Sequence, residues 1–313
     1  MTAFRKLCFV STAATFLLVT IGGLVRATKS GLGCGTSWPD CSGDIIPVFG
    51  HSAVVIEYSH RIAAGVVVIL LASLVVMAFR QHRQTPSILR TSLVAFGLVM
   101  FQAVLGAVVV KLELEAESVV MHLGTAMALL GVLIYLSIRS SALEGEAPVR
   151  TDGDASKSAR FAARAVLLLL LLGSYISGQD AGYVFPDWPL MDGRVVPDLS
   201  SQPEALHFIH RLAAAVVGVI VVVVALRIMR RKGELPVAAR FAHAAVGLFG
   251  IEVAIGAGNV WTGGNATFVT KHLAIGAAIW GSLVALASVT SPAVAETDDA
   301  RVESRAVAQA GAR

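Results

Sequence analysis

The sequence predicts an all-α integral membrane protein whose eight transmembrane helices form two pseudosymmetric four-helix bundles. Three observations predict it. The 313 residues are 56% hydrophobic and only 15% charged, with a mean hydropathy of +0.74, which is outside the range of soluble domains. Eight stretches reach the length of about 20 mainly apolar residues that a membrane crossing requires. The chain also overlays on itself when shifted by 150 positions: His60 falls on His210, His122 on His272, Trp38 on Trp188, Pro39 on Pro189 and Gly106 on Gly256.

The first span, near residues 5–25, follows Arg5 and Lys6. A signal peptide is the alternative, but the run is long and lacks a small-x-small cleavage site before Gly22-Gly23. Spans two to four fall near 54–79, 90–110 and 118–138, and complete an N-terminal bundle over 1–139. The stretch 140–160 is polar, carries Gly145, Pro148 and Gly153, and reads as a cytoplasmic linker. Spans five to eight, near 161–179, 205–228, 238–260 and 268–290, make a C-terminal bundle over 161–290. All are rich in Val, Leu and Ala, and lipid forces such runs to be helical because the backbone must satisfy its own hydrogen bonds there. Residues 291–313 are polar and are expected to be a disordered cytoplasmic tail.

Basic residues alternate with acidic ones from loop to loop. Arg80, Arg83 and Arg90 flank one loop and Arg227, Arg230, Arg231, Lys232 and Arg240 another, while Glu113, Glu115 and Glu117 or Asp180, Asp187, Asp192, Asp198 and Glu204 mark those between. By the positive-inside rule both termini face the cytoplasm. The net charge of +4 is explained by these helix ends, so nucleic acid is excluded as a partner and membrane lipid is the expected surroundings.

Cys34 and Cys41 share the first outward loop, on the side where disulfides persist. A disulfide closing the loop around Trp38-Pro39-Asp40, a transient redox pair and a metal site are all compatible with the spacing. Cys8, inside the first span, reads as small apolar packing.

The histidines carry the chemistry. His60 and His122 lie at similar depth on helices that run in the same direction, one to two turns below the outer surface, and His210 with His272 repeats the arrangement. Two imidazoles at one depth can ligate opposite faces of one haem iron, and bundles hold such cofactors between facing helices. Small residues follow the ligands, as a flat macrocycle needs: Ala63-Ala64-Gly65, Ala213-Ala214-Ala215, Gly124 and Gly276. Small residues also serve close helix packing, but four matched instances beside four matched histidines favour a cofactor slot. Zinc would want tetrahedral neighbours that the sequence does not supply at that depth.

Arg61 and Arg211 adjoin the first ligand of each pair, where haem propionates or simple snorkelling account for them equally. The repeat breaks at Glu57, one turn before His60, whose counterpart is His207. A carboxylate beside an axial ligand in an apolar bundle is a candidate proton acceptor or charge stabiliser, against the plainer reading of a helix-start acid at the water interface. Glu252, matched by Gln102, reads as interhelical polar glue. His51 and Glu204 belong to helix entrances, and His82 and His243 have no partner of equal depth.

Taken together, Gly22-Gly23-Leu24-Val25-Arg26-Ala27-Thr28-Lys29-Ser30-Gly31-Leu32-Gly33-Cys34, then Trp38-Pro39-Asp40-Cys41, Glu57-Tyr58-Ser59-His60-Arg61, Asp187-Trp188-Pro189-Leu190 and His207-Phe208-Ile209-His210-Arg211 resemble the haem A synthase family over about residues 5–290. The resemblance implies a multi-pass enzyme of the bacterial plasma membrane that oxidises the C8 methyl of haem O to the formyl group of haem A. It implies that His60 and His122 face the substrate haem O, that Glu57 is catalytic, that His210 and His272 ligate a resident haem b, and that Cys34 and Cys41 form an extracellular disulfide. Haem O synthase and cytochrome oxidase assembly are the implied partners, and a homo-oligomer is compatible with the family. Gly35-Thr36-Ser37 before the tryptophan departs from the commonest family spelling, which bears on the loop's shape.

Two other classes share the histidines. A dihaem b-type, quinol-linked electron carrier would leave both haems unaltered and would place its sites at different leaflets. A haem transporter or chaperone would need the ligands but not Glu57.

Overall fold

A computed structural model describes residues 1–145 and 150–291. Residues 146–149 of the expected linker and 292–313 of the expected tail lie outside the described residues. The elements are α1 (Ala3–Ala27), α2 (Ser52–Gln81), α3 (Pro86–Lys111), α4 (Ala116–Leu143), α5 (Gly153–Gly178), α6 (Gln202–Arg230), α7 (Pro236–Trp261) and α8 (Ala266–Val289). All eight are long and apolar enough to cross a membrane, and extended backbone among the described residues is limited to the bridges Cys41 to Asp44 and Met191 to Arg194. The chain is an all-α, multi-pass membrane protein.

The helices run past the apolar stretches, and four of them, α1, α5, α6 and α8, start at a side-chain N-cap. Pro86 and Pro236 open α3 and α7 in the first turn, where a missing N–H is harmless. Ser201 and Glu204 form a reciprocal capping box on α6. The Asp152 side chain accepts from the Ala155 N–H at 2.8 Å, so α5 begins at Gly153, inside the stretch expected to be linker up to residue 160.

Helix neighbours have the same order in each half: α1 packs on α2 and α4, and α3 on both, while α5 packs on α6 and α8, and α7 on both. The halves meet where α8 lies against α1 and α4, and α4 against α5. Among the helices α8 is the most enclosed, with 56% of its apolar window buried against 22–33% for the others. In lipid, apolar side chains gain little by leaving one hydrocarbon for another, so small residues that let helices approach decide the packing. At Gly23 a Cβ would stand 2.7 Å from Leu273 of α8, and at Gly131 one would stand 2.8 Å from the Trp280 ring.

The outer loop after α1 depends on one glycine in particular. A Cβ at Gly33 would sit 2.4 Å from the carbonyl carbon of Ala53, a main-chain atom at the start of α2 that cannot swing aside. Gly33→Ala is therefore expected to destabilise the protein by about 1–3 kcal/mol, the usual range for overpacking, read as a lower thermal midpoint of the purified protein in detergent. An unchanged midpoint would show that the loop moves freely over α2.

Candidate functional site

His60, His122, His210 and His272 stand on α2, α4, α6 and α8, each about two turns beyond the outer start of its helix. All four are half-buried, and in all four Nδ1 is buried without an aligned hydrogen-bond partner. That leaves Nε2 as the nitrogen available to a ligand. The rings of His210 and His272 face one another with centroids 6.4 Å apart and planes at 74°. Two metal–imidazole bonds of about 2 Å each, added to the distance from each nitrogen to its ring centre, come close to that separation. His122 lies within electrostatic reach of His60.

Each ring is steadied by a glycine of a neighbouring helix, which the sequence reading did not identify. A Cβ would meet the His60 Cε1 at 3.2 Å from Gly22, the His122 Cε1 at 3.4 Å from Gly106, the His210 Cε1 at 3.1 Å from Gly173, and the His272 Cε1 at 3.3 Å from Gly256. Of the small residues expected to line the slot, Gly65 has no neighbour within 4 Å of a Cβ, whereas Gly124 looks onto Leu171, and Gly276 onto Leu170 and Glu252. Gly22 and Gly173 are 151 apart, whereas the histidines are 150 apart. The first outer loop has one residue more between Cys34 and Trp38 than the second has between Phe185 and Trp188, and a self-overlay that admits this gap reveals the match. Backbone conformation marks the same offset. Lys29 and Asp180 are both left-handed (φ 53° and 52°), as are Ser42 and Asp192 (φ 57° and 51°).

These residues fit a haem. Among the described residues no group of three or more His, Cys, Asp or Glu side chains converges as a metal site, and a bare tetrahedral ion would need one. A pair of opposed imidazoles suffices for a metal that brings its own equatorial ring of nitrogens.

The two halves differ around the outer loops. Glu57 is buried, with 3% of its surface exposed, so it is not a solvated helix-start acid. Its Oε2 accepts from the Cys34 N–H at 2.8 Å, and its Oε1 pairs with Arg61. Arg61 also donates to the carbonyls of Pro39 and Asp40. Cys34 and Cys41 are joined in a disulfide with Cα atoms 4.5 Å apart. Cys8 is buried and free.

In the second half Phe185 and Met191, both buried, take the places of the cysteines. Asp187 accepts from the N–H groups of Asp192 (2.8 Å) and Gly193 (2.9 Å). These bonds, the one from Gly193 foremost, hold its carboxyl below the usual carboxylate range. Arg211 donates to the carbonyls of Asp187, Leu190 and Phe185. The side chain clamped below is His207, stacked on Phe185 at 5.5 Å. Its Nδ1 lies 3.3 Å from the Phe185 N–H and its Nε2 lies 3.0 Å from the Arg211 Nε. A neutral imidazole has one acceptor nitrogen, so it can match only one of these donors, whereas the two oxygens of Glu57 match both of theirs. Arg61 and Arg211 thus spend their guanidinium groups on loop carbonyls and on Glu57 or His207.

Residues 5–53 and 48–284 match the family of cytochrome oxidase assembly proteins. The chain belongs to that family. Among the relatives of the chain, one from Symbiobacterium thermophilum is 28% identical over 309 residues, covering 95% of this chain and 98% of its own. Others from Alkalihalophilus pseudofirmus and Lysinibacillus sphaericus are each 30% identical, covering 67% and 68% of this chain and 72% of their own lengths. All three are named heme A synthase.

Proposed function

We propose that this chain is a haem A synthase of the bacterial plasma membrane, with both termini cytoplasmic, that oxidises the C8 methyl of haem O to the formyl group of haem A. The observation that carries the reading is a difference between the two matched histidine sites on the outer side. A buried carboxylate, Glu57, stands one turn from His60, where the other half has His207. A pure electron carrier or a haem transporter has no use for that difference. Both histidine pairs also lie near the same ends of their helices, which does not suit electron transfer across the membrane.

In this reading the protein is two pseudosymmetric four-helix bundles, α1–α4 and α5–α8, joined between Leu143 and Gly153. His60 and His122 hold the substrate haem O. His210 and His272 hold a resident haem b, which supplies one-electron transfer when bound. Gly22, Gly106, Gly173 and Gly256 fix the planes of the imidazoles. Turning a methyl into a formyl group also places an oxygen on that carbon; with water as its source (–CH3 + H2O → –CHO + 4 H+ + 4 e−) the electrons pass to an external oxidant, and Glu57 takes up protons or stabilises the positive charge that develops there. Arg61 and the disulfide loop hold that carboxylate in place beneath the outer surface. Haem O synthase supplies the substrate, cytochrome oxidase assembly consumes the product, and a homo-oligomer is consistent with the family.

The test is a haem extraction. The protein is produced together with haem O synthase in a host that lacks haem A, and the extracted haems are separated by chromatography. A haem A peak that depends on the protein is the expected result. Haem O alone, with two bis-histidine haems in the purified protein, would identify an electron carrier. Haem O moved out of the membrane without conversion would identify a transporter. Either of these overturns the proposal.

A further inference from the structure

Glu252 on α7 approaches one of the four histidines from behind. Its Oε1 lies 3.2 Å from His272 Nδ1, its side chain is 14% exposed, and its Oε2 is buried without a partner. The approach falls short of an aligned hydrogen bond, but the terminal torsion of a glutamate is broad and twofold, so a small rotation aligns it. The first half is built differently. Gln102, at the matching position, turns its Nε2 to the main-chain carbonyl of His122 at 2.8 Å, and His122 Nδ1 has no partner.

A second difference accompanies the first. A Cβ at Gly276, one turn beyond His272, would stand 3.1 Å from Glu252 Oε1, tighter than an ordinary contact. The matching residue in the first half is Ala126. A glycine therefore makes room where the carboxylate stands, and an alanine is present where it does not. A carboxylate inside a bundle is costly unless a partner holds it, and the His272 Nδ1–H is the donor within reach.

We propose that Glu252 is a positioning residue of the resident haem site: it accepts the His272 Nδ1–H, fixes the tautomer that presents Nε2, sets the ring plane and makes the imidazole a stronger donor to iron. This rests on the reading of His210 and His272 as ligands of a resident haem. A more electron-rich axial ligand favours ferric iron and tight retention. The second-half haem is accordingly held more firmly, and at a lower midpoint potential, than a haem between His60 and His122, as a group that stays and one that leaves require.

The test uses the purified, haem-loaded protein, with potentiometric titration of the second-half haem, its low-spin resonance spectrum and its rate of transfer to apomyoglobin. Glu252→Ala is expected to raise the midpoint by roughly tenfold in the redox equilibrium, about 59 mV for one electron, and to loosen the haem roughly 10–100-fold. Gly276→Ala, which crowds the carboxylate, is expected to shift both in the same direction, and carries the test should Glu252→Ala fail to fold. The reciprocal pair Gln102→Glu with Ala126→Gly is expected to lower the potential of a haem in the first site. An unchanged midpoint and transfer rate in folded Glu252→Ala, or in folded Gly276→Ala where the former does not fold, would overturn the proposal. His272→Ala separates the two readings: if it keeps the second-half haem spectrum, the ligand assignment fails, whatever Glu252 does.

Discussion

Purified His210→Ala or His272→Ala protein is expected to lose the low-spin spectrum of the second-half haem almost completely, whereas His60→Ala keeps it and instead fails to retain haem O. The expectation follows from the opposed imidazoles, 6.4 Å apart, each backed by a glycine on the next helix. Alanine removes one axial bond, and among the described residues no third His, Cys, Asp or Glu forms a metal-holding group with the pair; Glu252 stands behind His272, on its Nδ1 side. Reduced-minus-oxidised spectra and haem content per protein measure the effect. Unchanged spectra in both second-half variants would contradict the division of labour between the halves.

Glu57→Gln is expected to keep both haems bound while lowering haem A formation by about 10²–10⁴-fold, the usual contribution of a positioned acid or base. Glutamine can still accept the Cys34 N–H that Glu57 Oε2 receives at 2.8 Å, so the loop keeps that seat, while the glutamine NH2 faces Arg61 and the charge and its ion pair are lost together. Glu57→Ala removes the seat as well and strands Arg61, and breaking a buried ion pair on one side commonly costs about 3–5 kcal/mol. Loss of stability in alanine, with loss of product in both, separates the chemical role of the carboxylate from its structural one. Haem A formed at the normal level by Glu57→Gln membranes would remove Glu57 from the chemistry.

The eight spans were legible because hydrocarbon demands an apolar length that little else in a sequence imitates. Their ends were not, since Asp152 and Ser201 act through hydrogen bonds to main-chain groups that hydropathy does not register. The four histidines were legible because the repeat set them in register. Gly22 and Gly173 escaped notice because the extra residue in the first loop moves α1 and α5 to an offset of 151. The cysteine pair allowed three readings, and the fold selects the disulfide by bringing the two Cα atoms within 4.5 Å. Glu57 was marked by the break in the repeat, but its bond to Cys34 depends on how a loop folds over a helix 23 residues away. Glu252 read as glue between helices, and in the structure its closest polar neighbour is the Nδ1 of His272.

The enclosure of α8 has a consequence for biogenesis. This helix is synthesised after the other seven, yet it fills the space between α1, α4, α5 and α7. At synthesis rates of about 5–20 residues per second, the faces around Gly23 and Gly131 spend on the order of ten seconds against lipid before Leu273 and Trp280 arrive to cover them. Nascent chains stalled before α8 are thus open along one side. In such chains His210 already stands in the membrane while His272 has yet to be translated, so the second pair of imidazoles is completed only once α8 is made.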